Sequence, residues 1–440
     1  MAGLAIGINL FATPGSAAVY KPANTLKPLE TIERRVGTAL QHIPVDDTRD
    51  TNDITGSSTK LVDLDVLGSS WEQYQAGLAD VLNSFRQPDD RIEPDRHNAK
   101  QMHLVDVAAC LLRALLNDLR HTRAITVGSV VHVVPAYASA ILRRMLHDST
   151  RIAGLSADKI HFITEPAAFV LAYMNRTVVT QGSTCLVVTG NCEEYYASVV
   201  EVDRQLQGIA VHATVQGKSD PGDAMLAIGV AHCAALALRQ AKTTPATIII
   251  VSQAFEHQTQ VCDRLSLLCP NAGQADTDLD ANGLAAVRGA AISAARSDSG
   301  ATNADSRSEY LDDRNPVALV RRRVGSNEVF PLIEVGADED SSYGGFMVSS
   351  DAAGGAKIEI ELLEKAASGD YEALVAIIEI VPDSRNRQAS DYQLSIERDT
   401  AGMVMLDVYR DPASNIDELT ATPLGLTDEE IQRSKSSLSA

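Results

Sequence analysis

The stretch from Val130 to Met174, VVHVVPAYASAILRRMLHDSTRIAGLSADKIHFITEPAAFVLAYM, constrains this chain more than any other. Val130 to Val134 is rich in β-branched residues and stops at Pro135, which has no N–H to give to a sheet. The residues that follow read as a helix, with Ile141, Leu142, Met145 and Leu146 on one face and Arg143, Arg144 and Asp148 expected to face away into water. Gly154 ends it. Ile160 to Ile163 is a second apolar run, and Pro166, directly after Glu165, stands where a helix can begin. Strand, helix, strand, helix in that order predicts an α/β domain.

The flanking sequence extends the pattern on both sides. Leu4 to Leu10 and Ala17 to Tyr20 read as strands around the turn at Pro14-Gly15. Leu104, Ala108, Leu111, Leu115 and Leu119 recur at three- and four-residue spacing, which predicts a helix leading into the strand at Val130. Thr184 to Thr189, Tyr196 to Val202 and Gly208 to Val215 read as three strands, followed by an apolar helix over Ala224 to Leu238. Only Ala241 to Pro245 then separates that helix from a buried strand at Thr247 to Val251, and Ala285 to Ala295 forms a closing helix. Residues 21–100 are hard to read, apart from an amphipathic pattern at Trp71 to Phe85 with Tyr74, Leu78, Val81 and Leu82 on one side.

Past this point the periodicity changes. Arg296 to Asn315 is rich in Ser, Asp, Asn and Gly and reads as a linker. Beyond Pro316, the runs Val317 to Val320, Val329 to Val335, Lys357 to Leu363, Ala373 to Val381, Asp391 to Ile396 and Met403 to Tyr409 repeat with a period near two. Asp399 to Gly402 supplies a hairpin turn. Arg321-Arg322-Arg323 is expected at a solvated hairpin tip rather than on RNA, and Thr427 with Glu430 forms a capping box for a last short helix. The expected organisation is an α/β domain at 1–295, a linker at 296–315, a β-rich domain at 316–422 and a short tail at 423–440.

Charge narrows the function classes. Fifty-eight acidic against 38 basic side chains give a formal charge of -20, which disfavours nonspecific binding to nucleic acid and argues against direct DNA binding. The six cysteines lie mostly in apolar segments without metal-ligand spacing, so they read as reduced core residues of a cytoplasmic protein. The opening MAGLAIGINLFATPG has no charged leader region, and no run reaches the ~18 apolar residues of a membrane span, so no membrane partner is expected.

Three landmarks carry a resemblance. Val134-Pro135-Ala136-Tyr137, Ala153-Gly154-Leu155 and Glu165-Pro166-Ala167-Ala168 with Ala172-Tyr173 resemble, in order and spacing, the corresponding block of the heat-shock-70 (DnaK-type) chaperones. The resemblance implies an actin/heat-shock-70-like ATPase fold, apparently lacking the subdomain that closes over the nucleoside, followed by a β-sandwich-like substrate domain. It also implies where ATP would sit. The family's first hairpin holds metal and phosphate with an Asp and a Gly-Thr-Thr turn, and the matching residues here are Asn9, Phe11, Ala12 and Thr13. The family's second phosphate loop has glycines between two aspartates; here Thr189, Asn191, Cys192, Glu193 and Tyr196 occupy those places. Ser252-Gln253 stand where two glycines would lie under adenosine.

These replacements change the chemistry. Glycine-rich loops let backbone amides approach phosphate, and side chains at those positions obstruct the approach. Glu193 and Glu194 add carboxylates; two unit charges ~4 Å apart repel by about 4 kcal/mol at an effective dielectric of 20. The expectation is a pseudo-ATPase with no catalytic residues, no metal and no cofactor, with ATP restored only if the loop alignment is wrong. Pro316 to Val320, Glu328 to Pro331 and Ile8 to Asn24 resemble the atypical, lidless branch of the family in the eukaryotic ribosome-associated complex. That resemblance implies a J-domain protein as partner, the ribosome indirectly, and nascent polypeptide as a further candidate. The alternatives are an active ATP-dependent chaperone and another actin-superfold enzyme with a rebuilt carboxylate site at Glu193, Glu194 and Asp223.

Overall fold

The structure, a computed structural model, describes residues 4–9, 16–21, 30–35, 44–46, 59–61, 109, 112–113, 116, 127–177, 182–190, 194–202, 209–218, 225–250, 258–272, 276–277, 285–299, 311–312, 317–323, 328–333, 342–349, 358–366, 372–382, 391–398, 403–409, 416–421 and 428–437. The amphipathic stretch at Trp71 to Phe85 lies outside them, as do Leu104, Ala108, Leu111, Leu115 and Leu119. Their neighbours Ala109, Leu112 and Leu116 are helical and buried, at the three- and four-residue spacing of one helix face.

The α/β part contains two sheets of matching topology. In the first, β1 (Leu4–Asn9), β2 (Ser16–Lys21) and β3 (Glu30–Arg35) form an antiparallel meander, a small hairpin pairs β4 (Pro44–Asp46) with β5 (Thr59–Leu61), and β6 (Val127–Val134) runs parallel to β1. Helix α1 (Ala140–Ile152) crosses to β7 (Ile160–Thr164), which lies parallel to β6, and α2 (Glu165–Arg176) follows with Pro166 in its first turn. The sheet order is β3-β2-β1-β6-β7. The second sheet repeats the scheme: β8 (Thr184–Gly190), β9 (Glu194–Val202) and β10 (Ile209–Lys218) form an antiparallel meander, α3 (Leu226–Ala241) crosses over, and β11 (Thr247–Ile250) pairs parallel with β8. The turn from α3 into β11 comprises residues 242–246 and begins with Lys242 in the left-handed conformation (φ 52°).

Helices α4 (Gln258–Leu268) and α5 (Ala285–Ser299) complete this part. One core lies among β6, β7, α2, α5 and the inner face of the second sheet, through Val131, Ile163, Phe169, Val187, Val200 and Ala290. A second core lies on the other face of that sheet, where Leu186, Val199 and Val215 meet Val230, Ala234, Val261 and Leu265 of α3 and α4. The small residues of α5 permit very close contacts. A Cβ at Gly7 would lie 2.4 Å from the Val287 carbonyl oxygen, and one at Gly289 would lie 1.8 Å from that of Ala168. Backbone therefore meets backbone on both sides of α5.

Two readings of the intervening sequence change. Arg296 to Ser299 continue α5, and β12 (Leu311–Asp312) adds to the second sheet beside Ile209 and Ala210, so both ends of the linker region carry regular structure. The backbone groups of Leu311 and Asp312 are satisfied by β10 in place of water.

The C-terminal part holds two antiparallel sheets. One has the order β14-β13-β16-β17-β20, from β13 (Val317–Arg323), β14 (Val329–Ile333), β16 (Ile358–Ala366), β17 (Glu372–Pro382) and β20 (Ile416–Ala421). The other pairs β15 (Ser342–Ser349), β18 (Asp391–Arg398) and β19 (Val404–Tyr409). Helix α6 (Asp428–Ser437) follows. The arginine triplet belongs to β13 and not to a solvated tip: Arg322 bonds Glu361 at 2.7 Å and Glu372 at 3.2 Å, and Arg321 lies over the Phe330 ring at 4.9 Å. Glu361 and Glu372 thus take up the charge of Arg322, while Arg323 at the end of the strand is exposed.

The face of α1 also departs from expectation. Arg143 and Asp148 are only 6% and 1% exposed, and Arg144 is half-buried. Arg143 turns toward the sheet and lies over Phe162, 5.9 Å from the ring centroid. Beneath it His132 of β6 bonds Thr150 of α1 at 2.7 Å and stacks on Phe162. Burial, with a smaller contribution from neighbouring His147, lowers the His132 pKa from 6.5 to about 3.

The sign of the consequence follows from proton binding. Between pH 6.5 and about 3 the unfolded chain binds a proton at His132 that the folded chain excludes, so acidification favours unfolding over that window. The His132→Gln variant is expected to lose up to about 1.4 kcal/mol per pH unit of the slope of unfolding free energy against pH there. Urea titrations at several pH values check this, and an unchanged slope would contradict the neutral buried imidazole.

Candidate functional site

The residues singled out by the phosphate-loop comparison separate into three groups. Asn9 closes β1 and is buried. Thr189 and Tyr196 are direct partners across the β8–β9 ladder, and Gly190 beside them pairs with Tyr195. Phe11, Ala12, Thr13, Asn191, Cys192, Glu193, Asp223, Ser252 and Gln253 lie outside the described residues. The structure thus brings together Thr189, Gly190 and Tyr196 at one end of the second meander. Asn9 is on the other sheet.

This end is constrained by backbone geometry. Gly190 has φ +124°, and a Cβ there would lie 2.3 Å from the Glu194 carbonyl oxygen, so the turn closes too tightly for any side chain at that residue. Gly190, which precedes the three replaced glycine positions, is thus demanded by its own backbone conformation. Thr189 is buried, and its Oγ1 has no hydrogen-bond partner among the described residues. Neither Thr189 nor Tyr196 carries the carboxylate that the resembled loop has at its place.

Tyrosines occupy the surrounding space. Tyr137, in the turn after β6, donates its hydroxyl proton to the Thr214 carbonyl of β10, and its ring meets that of Tyr196 edge to face at 5.9 Å. One side chain from the first half of the fold thus bonds to the second. Ser198 and Thr214 extend the polar contact, their hydroxyls 3.0 Å apart. Tyr195 points to the opposite side of β9, where Gly217 of β10 and Gly229 of α3 leave a slot for its ring. A Cβ at Gly217 would stand 2.2 Å from the Tyr195 ring and one at Gly229 would stand 2.2 Å from its hydroxyl oxygen.

The carboxylate that the sequence placed against phosphate has a partner. Gln216 donates through Nε2 to Glu194, so Glu194 is held beside β10. Further along the same ladder His212 and Glu201 form a second bonded pair at 2.7 Å. Sequence reasoning missed Gln216 and Tyr195 as determinants of this region. Gln216 carries no motif, but strict alternation along β9 places Tyr195 and Tyr196 on opposite faces and was readable.

Burial pushes the Cys185 thiol up to about 12 and also raises Cys262 and Cys269, so these three are poor thiolates. Among the described cysteines, Cys185, Cys233 and Cys269 are buried and Cys262 is half-buried, all four as free thiols; Cys110 and Cys192 lie outside the described residues. Among the described residues no group of three or more His, Cys, Asp and Glu could hold a metal ion. No helix among them is long and apolar enough to cross a membrane.

With this geometry in view, one family comparison bears on part of the chain. The family model described as Hsp70 protein matches residues 70–218, which are 149 of the 440 residues (218 − 70 + 1). No curated protein matches the chain. The matched span covers β6 through β10 with α1 and α2, the same stretch that carries the three landmarks. It supports an Hsp70-type, actin-like ATPase fold for the α/β part and a chaperone-like role.

Replacing Tyr195 by Ala is expected to destabilise the protein by about 3–5 kcal/mol, the usual cost of deleting a buried aromatic side chain, because its slot is lined by glycines that cannot refill it. A shift of the urea midpoint measures this. A loss below about 1 kcal/mol would mean that the ring does not hold β9, β10 and α3 together.

Proposed function

We propose that this chain is a noncatalytic Hsp70-like co-chaperone or scaffold that pairs with a J-domain protein and assists nascent-chain folding at the ribosome. One observation carries the noncatalytic part: Thr189 and Tyr196, paired across β8 and β9, stand where two carboxylates would act, with Tyr137 packed against the phenol. A hydroxyl and a phenol are neutral at neutral pH and cannot replace two anions in holding a divalent cation or polarising water. Gln216 bound to Glu194 adds to this, since it holds a carboxylate by the loop where phosphate would need donors.

Further support comes from the short passage between α3 and β11. Residues 242–246 make that turn. In the resembled chaperones a nucleoside-closing subdomain is inserted there, so loss of ATP turnover in this chain would come from two directions. The J-domain partner and the ribosome rest on the resemblance of Pro316 to Val320, Glu328 to Pro331 and Ile8 to Asn24 to the lidless branch. The cytoplasmic placement rests on reading the cysteines as reduced core residues. The partner surface would be a rigid one, because both cores are continuous and densely apolar.

The triple variant Asn191→Gly, Cys192→Gly, Glu193→Gly restores the loop glycines without touching Thr189 or Tyr196. Its ATP hydrolysis is expected to remain at the level of the unaltered chain, with or without a J-domain protein. Robust turnover in this variant, measured as phosphate release, would overturn the noncatalytic reading and favour an active chaperone. Turnover in the unaltered chain that is lost on Glu193→Gln or Glu194→Gln would favour a rebuilt carboxylate site instead.

A further inference from the structure

The two halves of the α/β part share an apolar core with α2 and α5, through Val131, Ile163, Phe169, Val187 and Val200. At the end of the second meander where Thr189 and Gly190 lie, the contact between the halves is polar, and Tyr137 makes it from the first half. This tyrosine sits between β6 and α1. It is buried, as are Ala136 and Ala138 on either side.

Tyr137 reaches two elements of the second half. Its hydroxyl donates to the Thr214 carbonyl of β10, and its ring meets that of Tyr196 on β9 edge to face at 5.9 Å. Ser198 pairs with Thr214 in the ladder and lies two residues from Tyr196, so all three side chains stand on one face of the sheet. Ser198 is fully buried, and its hydroxyl lies 3.0 Å from that of Thr214. Tyr137 thus closes over a buried polar surface.

The edge of the sheet gives this bond its weight. Strand β12 pairs with β10 at Ile209 and Ala210, and from Val211 onward the outer side of β10 has no strand partner among the described residues. Backbone groups along such an edge are satisfied by water or by a neighbouring element. The Tyr137 hydroxyl reaches Thr214 there, from 77 residues away in sequence. The aromatic pair adds to the hydrogen bond, and burial strengthens both.

In a two-lobed protein that closes around a ligand, contacts to the ligand hold the closed state. Here the chain's own side chains make contacts of that kind, at the turn end where Thr189 and Tyr196 are paired. We infer that Tyr137 and Tyr196 form a built-in clasp, which holds the two halves in one relation without nucleotide. The surface that both halves form together is then fixed in the free chain. The clasp deepens the noncatalytic reading and rests on it, since halves fixed in this way leave no movement for ATP turnover to drive.

Thiol accessibility on the purified full chain tests it. Ser198→Cys places a thiol of similar size on the buried face that Tyr137 closes over, and its alkylation by iodoacetamide, followed at that residue by mass spectrometry, reports how often the halves part. Alkylation is expected to be slow, and equally slow with and without magnesium ATP or ADP. Tyr137→Phe, which removes only the hydroxyl, is expected to speed it about tenfold, the scale of one hydrogen bond. Tyr196→Ala removes the facing ring and is expected to speed it at least as much. Cys185, buried in the shared core, is the folding control and is expected to stay slow in both variants. Unchanged rates at position 198 in both variants would overturn the clasp, and so would slow alkylation that appears only when nucleotide is added. An equal rise at Cys185 would do the same, because the tyrosines would then support the whole fold and not the relation of the halves. Phosphate release by the same samples separates the two failures: turnover counts against the noncatalytic reading, and only the alkylation rates count against the clasp.

Discussion

The contact on which the architecture depends is the passage of α5 between β1 and α2. At Gly7 and Gly289 there is no room for a methyl group, because backbone atoms of the neighbouring element already occupy that space. A helix of small residues is what such spacing requires, and the run Ala285-Ala286-Val287 with Ala290-Ala291 provides one. The gain is an apolar core shared by the first sheet, the two central helices and the second sheet. Each glycine costs about 1 kcal/mol of helix or strand propensity relative to Ala, a cost that close packing offsets.

From this scaffold the candidate site inherits its position. The two meanders share a topology, and their turn ends are where the resembled chaperones hold metal and phosphate. In this chain the described part of that region is organised by tyrosines. Tyr137 joins the halves through Thr214 and Tyr196, while Tyr195 anchors β9 from behind. Gln216 and Glu194 add a bonded polar pair beside them, across the β9–β10 ladder. A frame retained with altered ligand chemistry is the physical content of the scaffold reading.

Much of the α/β part was legible because its strands are continuous apolar runs and its helices are bounded by clear signals. Val127–Val134 ends at Pro135, α1 is followed by Gly154 at φ +111°, and α2 starts with Pro166. Other elements lacked such signals. Helix α4 buries only Val261 and Leu265, too sparse a stripe to stand out, and β15 contains Gly344-Gly345 where its pairing with β18 shifts register. Strand β20 is an edge strand, and its sequence IDELTA is too acidic for a hydrophobic pattern to mark it. The polar face of α1 was misread for a different reason. Periodicity reports which residues avoid the nearest apolar core, but it cannot report a second unit that meets the helix from more than two hundred residues away, with Glu364 at the Ala140 N–H and Ile431 against Ile152. At the site, replacements at Thr189 and Tyr196 were visible as letters, whereas the roles of Gln216 and Tyr137 depend on cross-strand geometry.

The central claim is that a nucleotide-binding frame has been retained while its ligand chemistry has been lost. Isothermal titration calorimetry of the full chain with ATP and with ADP, in the presence of magnesium, tests it most directly. The account predicts no detectable binding heat from a protein that is demonstrably folded. Micromolar affinity for either nucleotide would contradict it, because the loops around Thr189 and Tyr196 would then cradle phosphate despite the side chains they carry.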